Sequence, residues 1–359
     1  MKGGLRSWFA QVKRVDYPRT LLALCVGVAG ALLFLWIGAP MPWMLGPLAG
    51  CLIASLLGAP LAAPTVFRSP MAAMIGVMLG SGYGPQLLGY VVNWWATIAG
   101  LLAFMLVAGA VCVAYFRCVA RYDFPTAYFA GMPGGVVEMV LLGENSGADL
   151  RRVALVHAAR IVFTVFSIPF IVQWVEGGQI VRSATSSISL LDMRADSLLW
   201  LLVTFSGGLV LGRLVNLPAR YLLGPLILSV IVHISGISTF KPPWELVALA
   251  QLVLGSVIGC RFAGSRTVDI LQIFLASLGS CFLMILLSCA FAFGVSHLTE
   301  YTLTELLLAY SPGGLAEMGV LALALHLDVA VVSTRHVLRI FLVVICARSL
   351  MPLFGIKRE

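Results

Sequence analysis

Charge is what this sequence has least of. Asp, Glu, Lys and Arg together are 11% of the 359 residues, hydrophobic residues are 60%, and the mean hydropathy is +1.02. A soluble domain carries about a quarter charged residues, so the composition excludes an ordinary soluble fold and indicates a polytopic membrane protein. Histidine is scarce as well, with five residues, which makes a site built from many imidazole ligands hard to assemble. Eight cysteines are present, none in a C-x-x-C pair, and all lie in or beside apolar runs. Small packing residues describe them better than redox or zinc chemistry does. Long polar stretches are missing too. Residues 1–19 and a linker over 176–195 are the main polar segments, and neither is long enough to bury a core. A DNA-binding or soluble catalytic domain is therefore not expected. The formal net charge of +8 reads as loop charge that sets orientation, not as a nucleic-acid footprint. No small-residue cleavage site follows the first apolar run, so that run is expected to be an uncleaved span. Leu5, Trp8, Phe9 and Val12 share one helical face, which suits an amphipathic segment on the membrane surface.

What is present is a duplication. Residues 131–161 and 310–340 align without a gap at an offset of 179. Each copy carries P-G-G-x-x-E-M, an Asp 11 residues after the Glu, and H-x-x-R-I 8 residues after the Asp. The pairs are Pro133 and Pro312, Gly134 and Gly313, Gly135 and Gly314, Glu138 and Glu317. They continue as Asp149 and Asp328, His157 and His336, Arg160 and Arg339. Where charged residues are this rare, four polar identities at one offset are not chance. Leu45-Gly46-Pro47 and Leu223-Gly224-Pro225 extend the match at offset 178, and Gly76 and Gly80 match Gly255 and Gly259 at 179. Two repeats, 20–175 and 196–354, thus cover nearly the whole chain.

Each repeat holds six apolar segments: 21–37, 43–57, 69–82, 91–116, 124–143 and 153–174, then 198–214, 221–237, 245–260, 270–295, 303–325 and 329–350. The fifth of each six contains the Pro-Gly-Gly. If it is re-entrant, each repeat has five spans and the two are inverted; if it crosses, they run parallel. With Arg160, Arg335 and Arg339 set aside as intramembrane, the inverted arrangement places 17 Lys and Arg inside and 3 outside, and the parallel one 14 and 6. Basic residues collect on the cytoplasmic side, so the expectation is an all-α protein of two inverted repeats. Each would have about five spans plus one re-entrant or broken segment, with both termini cytoplasmic. Seven tryptophans, Trp94 among them, fall at segment ends and read as interfacial anchors.

A Pro-Gly-Gly break at membrane depth is tolerable only where it is buried in protein or lines a cavity. Gly135 and Gly314 are each expected to precede a short helix starting near Val136 and Leu315, its free N–H groups carrying partial positive charge. Opposed broken helices are the way many secondary transporters build a midplane site. Glu138 and Glu317 in the first turns read either as carboxylates favoured by the helix dipole and paired with Arg160 and Arg339, or as carriers of a proton or cation. His157 with Arg160, and His336 with Arg339, share a helix face. They read either as a neutralising Arg beside a packed His or as an anion contact beside a proton relay. Asp149 and Asp328 are expected to cap the helices that follow. Glu144, Asn145, Arg151 and Arg152 have apolar counterparts Leu323, Ala324, Ala330 and Val331, so a single asymmetric site is expected. The Gly-x-x-x-Gly spacings at 76–80 and 255–259 suit close helix packing.

The paired P-G-G-x-x-E-M and H-x-x-R-I blocks resemble the AbrB family of bacterial inner-membrane proteins, over nearly the whole chain. That resemblance carries two labels, ammonia monooxygenase and regulator of gene expression. The scarcity of histidine and the lack of a soluble domain argue against both in their literal sense. The expected function is an inner-membrane secondary transporter of a small solute coupled to H⁺ or Na⁺, not an enzyme, with no cofactor. A membrane-bound metal-dependent monooxygenase, or an indirect effect on expression, is the alternative. The expected partners are the bilayer, the solute and the coupling ion, with no nucleic acid; homodimerisation is left open.

Overall fold

The computed structural model describes residues 16–85, 94–144, 146–176, 188–263, 267–325 and 327–351. The amphipathic face at Leu5 to Val12, most of the linker, Asn145 and His326 lie outside them. The described residues form helices, with no strand among them. Seven helices are long and apolar enough to cross a membrane, and the protein is an all-α polytopic membrane protein. Two compact units divide the chain.

The first unit comprises residues 1–84 and 182–265. It holds α1 (Tyr17–Trp36), α2 (Pro42–Leu56), α3 (Thr65–Gly80), α8 (Ala195–Leu214), α9 (Arg220–Ile234) and α10 (Trp244–Gly259). Asp16 starts α1: its carboxylate accepts the Arg19 amide at 3.4 Å and pairs with Arg19 Nε at 3.1 Å. Proline in the first turn agrees with that start. Small residues dictate the packing. A Cβ on Gly46 would fall 2.5 Å from the Gly30 backbone, so α1 and α2 touch main chain to main chain. Gly224 on α9 and Gly208 on α8 repeat that contact. The Gly-x-x-x-Gly pairs reach across the copies. Gly255 of α10 abuts the Met44 carbonyl of α2, and Gly76 of α3 abuts the Leu222 carbonyl of α9. Cys51 and Cys260 are buried in one apolar cluster.

The second unit comprises residues 85–181 and 266–359. Its first-copy helices are α4 (Trp95–Cys118), α5 (Phe124–Gly131), α6 (Val136–Gly143) and α7 (Leu150–Val175). Its second-copy helices are α11 (Thr267–Ser296), α12 (Leu303–Tyr310), α13 (Leu315–Ala324) and α14 (Val329–Leu350). The apolar segments at 124–143 and 303–325 are therefore each two short helices with a break between them. Here too the copies interlock. Helix α11 packs on α7, where Thr164 Oγ1 meets Cys281 Sγ at 3.5 Å. Helix α4 packs on α14, where Arg335 Nη2 donates to Thr97 Oγ1 at 2.8 Å. Each unit thus takes one half of each sequence repeat, so neither unit coincides with 20–175 or 196–354. Helices α2, α3, α9 and α10 are 15, 16, 15 and 16 residues long, shorter than the other six expected spans; a tight turn over Cys260–Phe262 carries the last of them to 19 residues.

Overpacking a close contact costs about 1–3 kcal/mol. Gly224→Ala is therefore expected to lower the thermal unfolding midpoint of the purified protein by several degrees. A methyl group added at Gly294 would have no neighbour within 4 Å, so Gly294→Ala in α11 should be neutral or raise it slightly through helix propensity. Equal effects of the two changes would contradict this packing.

Candidate functional site

Each letter of P-G-G-x-x-E-M has a structural task at its break. Helix α5 ends where Met132 turns extended, and the Gly134 amide donates back to the Met132 carbonyl at 2.8 Å, folding the chain around Pro133. Proline has no N–H, so it leaves no donor unpaired at the sharpest point. Gly134 is small because the Met139 side chain lies on it, and Gly313 likewise takes Met318. Gly135 and Gly314 are the N-caps of α6 and α13, both with extended backbone. A Cβ on either would collide with a carboxylate, Glu138 Oε2 over Gly135 and Glu317 Oε2 over Gly314. The two glutamates are half-buried and fold back across the starts of their own helices. A negative group is favoured there by the helix dipole.

The arginines hold the carbonyls that the break leaves without helical partners. Arg160 Nη1 donates to the Met132 carbonyl at 3.0 Å and Nη2 to that of Gly134 at 2.8 Å. Arg339 donates to the carbonyls of Ser311 and Gly313, the positions 179 residues further on. Both guanidinium groups are buried, 3% and 7% exposed. A planar guanidinium holds two separate N–H donors in a fixed fork, one for each carbonyl, whereas an ammonium offers its three donors from a single point on a flexible stem. Of the two roles open to Arg160, neutralising Glu138 or meeting an anion, neither describes these bonds, which are a clamp on the main chain.

The histidines brace the same segments one turn earlier. His157 Nε2 bonds the Phe129 carbonyl at 2.8 Å, and His336 Nε2 bonds that of Leu308 at 2.9 Å. A carbonyl only accepts, so Nε2 carries the hydrogen in both rings. His157 Nδ1 faces the Arg160 guanidinium. Both imidazoles are fully buried.

Asp149 and Asp328 start the helices that carry these residues. Asp149 accepts the Arg152 amide at 3.1 Å, and its own amide donates to Thr126 Oγ1 at 2.8 Å. Asp328 accepts the amides of Ala330 and Val331 at 2.8 and 3.2 Å, and its amide donates to Glu305 Oε1 at 3.3 Å. Each aspartate ties the bracing helix to the entry helix of its own break. The two breaks lie in one unit, joined through the second-copy helix α14. A Cβ on Gly134 would come 2.7 Å from Val343 Cγ1, and Tyr128 Oη donates to the Ala347 carbonyl at 2.8 Å.

One buried arginine belongs to no repeated motif. Arg335 is fully buried, 4.7 Å from the Trp94 ring centroid and 5.2 Å from that of Tyr301. Trp94 therefore stacks under a cation instead of serving only as an interfacial anchor. The signal in the sequence was an arginine in the middle of an apolar helix with Val156 as its counterpart. Among the described residues no group of three His, Cys, Asp or Glu side chains is placed to hold a metal ion.

A family model described as "Transition state regulatory protein AbrB" matches residues 43–355, a span that includes both breaks. The chain belongs to the AbrB family. Among its relatives is "Uncharacterized protein YhjN" of Bacillus subtilis (strain 168), 26% identical over 357 residues, covering 94% of this chain and 92% of that one. "Putative regulator AbrB" of Escherichia coli (strain K12) is 26% identical over 312 residues, covering 86% and 88%.

If the arginines are clamps, charge alone will not replace them. Arg160→Lys and Arg339→Lys keep the charge but give up the two-carbonyl fork, and each loses a charge-assisted bond worth about 1.5–3 kcal/mol. Each is expected to lower the unfolding midpoint clearly, nearly as far as the Met substitution at the same position. Full stability of both Lys variants would contradict the clamp.

Proposed function

We propose that this AbrB-family protein is a secondary transporter of the bacterial inner membrane, moving a small solute coupled to H⁺ or Na⁺. The observation that carries the reading is the pair of broken helices in one unit. Each has its carbonyls held by a buried arginine and a half-buried glutamate folded over the start of its second half. Irregular backbone inside a membrane protein is tolerated where it is buried or lines a path, and broken helices recur at transporter sites for that reason. In this reading the arginines are fixed and structural. The glutamates are the groups that change: each exchanges a proton or a Na⁺ ion as its side of the site opens. The histidines, tied by Nε2–H to carbonyls, hold the entry helices. Ten spans with two re-entrant segments entering from opposite faces, and cytoplasmic termini, complete the proposal; the count of basic residues on the two sides supports it. The regulatory name of the Escherichia coli relative fits an effect on expression exerted through the solute moved.

The test is charge movement after a pH or Na⁺ jump on protein reconstituted into a supported membrane. The wild type is expected to give a displacement current, and Glu138→Gln with Glu317→Gln to reduce it at least tenfold while the protein still inserts. An unchanged current in the double variant would remove the carrier role. Stoichiometric copper or iron in the purified protein would favour the monooxygenase alternative.

A further inference from the structure

Outside the two breaks, the second unit has a groove of about 640 Å³ between the end of α4, the start of α7 and the first turns of α11. Tyr115, Tyr122, Arg151, Arg152 and Gln272 supply its polar wall, and Val119 and Leu275 its apolar floor. Among its described lining residues two arginines stand beside one carboxylate, Asp149, which pairs with Arg152 through Nε at 3.2 Å. The Arg152 guanidinium also lies 5.3 Å from the Tyr122 ring centroid.

A related place shows what this one looks like when the chain fills it. At the offset of 179, Tyr122 corresponds to Tyr301, Ile273 to Trp94, Ala276 to Thr97 and Val156 to Arg335. At that related place, built from the start of α4 with α12 and α14, the Arg335 guanidinium lies against the rings of Trp94 and Tyr301 and bonds Thr97 Oγ1. The groove has small or aliphatic residues at three of those four positions, Ile273 and Ala276 of α11 and Val156 of α7. It places exposed Arg151 and Arg152 where the related place has buried Ala330 and Val331. The same arrangement is thus plugged by its own cation in one place and left open, lined with cations, in the other. The open groove is a property of these side chains and not of the architecture.

A strip on α11 points to the source of the ligand. Leu275, Leu278, Phe282 and Leu286 are 57%, 46%, 66% and 56% exposed and follow helical spacing along one face away from the groove. On a membrane-spanning helix such a strip meets acyl chains, and Val119, 64% exposed, stands on α4's side of the groove floor. Basic pockets beside such surfaces suit anionic head groups.

We propose that this groove binds the phosphate head group of an anionic phospholipid. Arg151 and Arg152 are its charge partners, Tyr122 and Gln272 its polar walls, and Val119 and Leu275 meet the upper acyl chain. The experiment measures binding by native mass spectrometry, and the shift in unfolding midpoint, of the detergent-purified full chain. The probes are dioleoylphosphatidylglycerol, dioleoylphosphatidylcholine and inorganic phosphate. Phosphatidylglycerol is expected to bind and stabilise, and the other two to do neither. Arg151→Gln with Arg152→Gln should weaken phosphatidylglycerol binding roughly thirtyfold. Ile273→Trp, which keeps every charge and copies Trp94 of the related place, should weaken it as well, and decides the matter if the double variant does not fold. Equal binding of phosphatidylcholine, an equal shift with inorganic phosphate, or wild-type binding by Ile273→Trp would each overturn the proposal.

Discussion

Four carbonyl groups and two arginines set the terms for the second unit. A broken helix leaves carbonyls without helical partners, and where they are buried each must find a donor. Met132, Gly134, Ser311 and Gly313 find theirs on Arg160 and Arg339. The guanidinium is itself costly to bury without acceptors, so clamp and break stabilise each other and neither stands alone. The histidine three residues before each arginine fixes the entry helix. The aspartate eight residues before that histidine starts the helix on which both sit, so the spacing of the motif is the spacing of this support.

Once the arginines are committed to the main chain, the glutamates differ from them in kind. They are half-buried and lie over glycines where an added Cβ would meet the carboxylate oxygen and move it. A rigid positive frame around a carboxylate at a helix start is an arrangement that can take up or release a cation without the backbone losing its partners. That separation of roles, with arginine for structure and glutamate for exchange, is what the transport proposal rests on.

Much of this was legible in the residues. The break, the starts of the short helices near Val136 and Leu315, and the capping roles of Asp149 and Asp328 follow from Pro, Gly and Asp chemistry, which is local. The acceptors of Arg160 and Arg339 were not legible. A guanidinium near a carboxylate in sequence suggests an ion pair, and only the folded geometry shows that each fork donates to two main-chain carbonyls. The compact units were hidden for a similar reason. A tandem duplication suggests two consecutive bodies, but the small residues at Gly76 and Gly255 make their contacts with the other copy. Arg335 stood out as an intramembrane arginine, but its stack on Trp94 and Tyr301 did not, because the feature occurs once and the motif was found by repetition.

The most direct test of the opposed-break arrangement is the side of the membrane on which position 152 lies. Arg152→Cys in a variant lacking the eight native cysteines would be exposed to a membrane-impermeant maleimide in intact cells and in inverted vesicles, with a cysteine near residue 17 as the reference. Labelling from the cytoplasmic side, together with the reference, is the predicted result and makes the first broken segment re-entrant. Labelling from the opposite side would mean that this segment crosses fully, and would contradict two breaks entering from opposite faces.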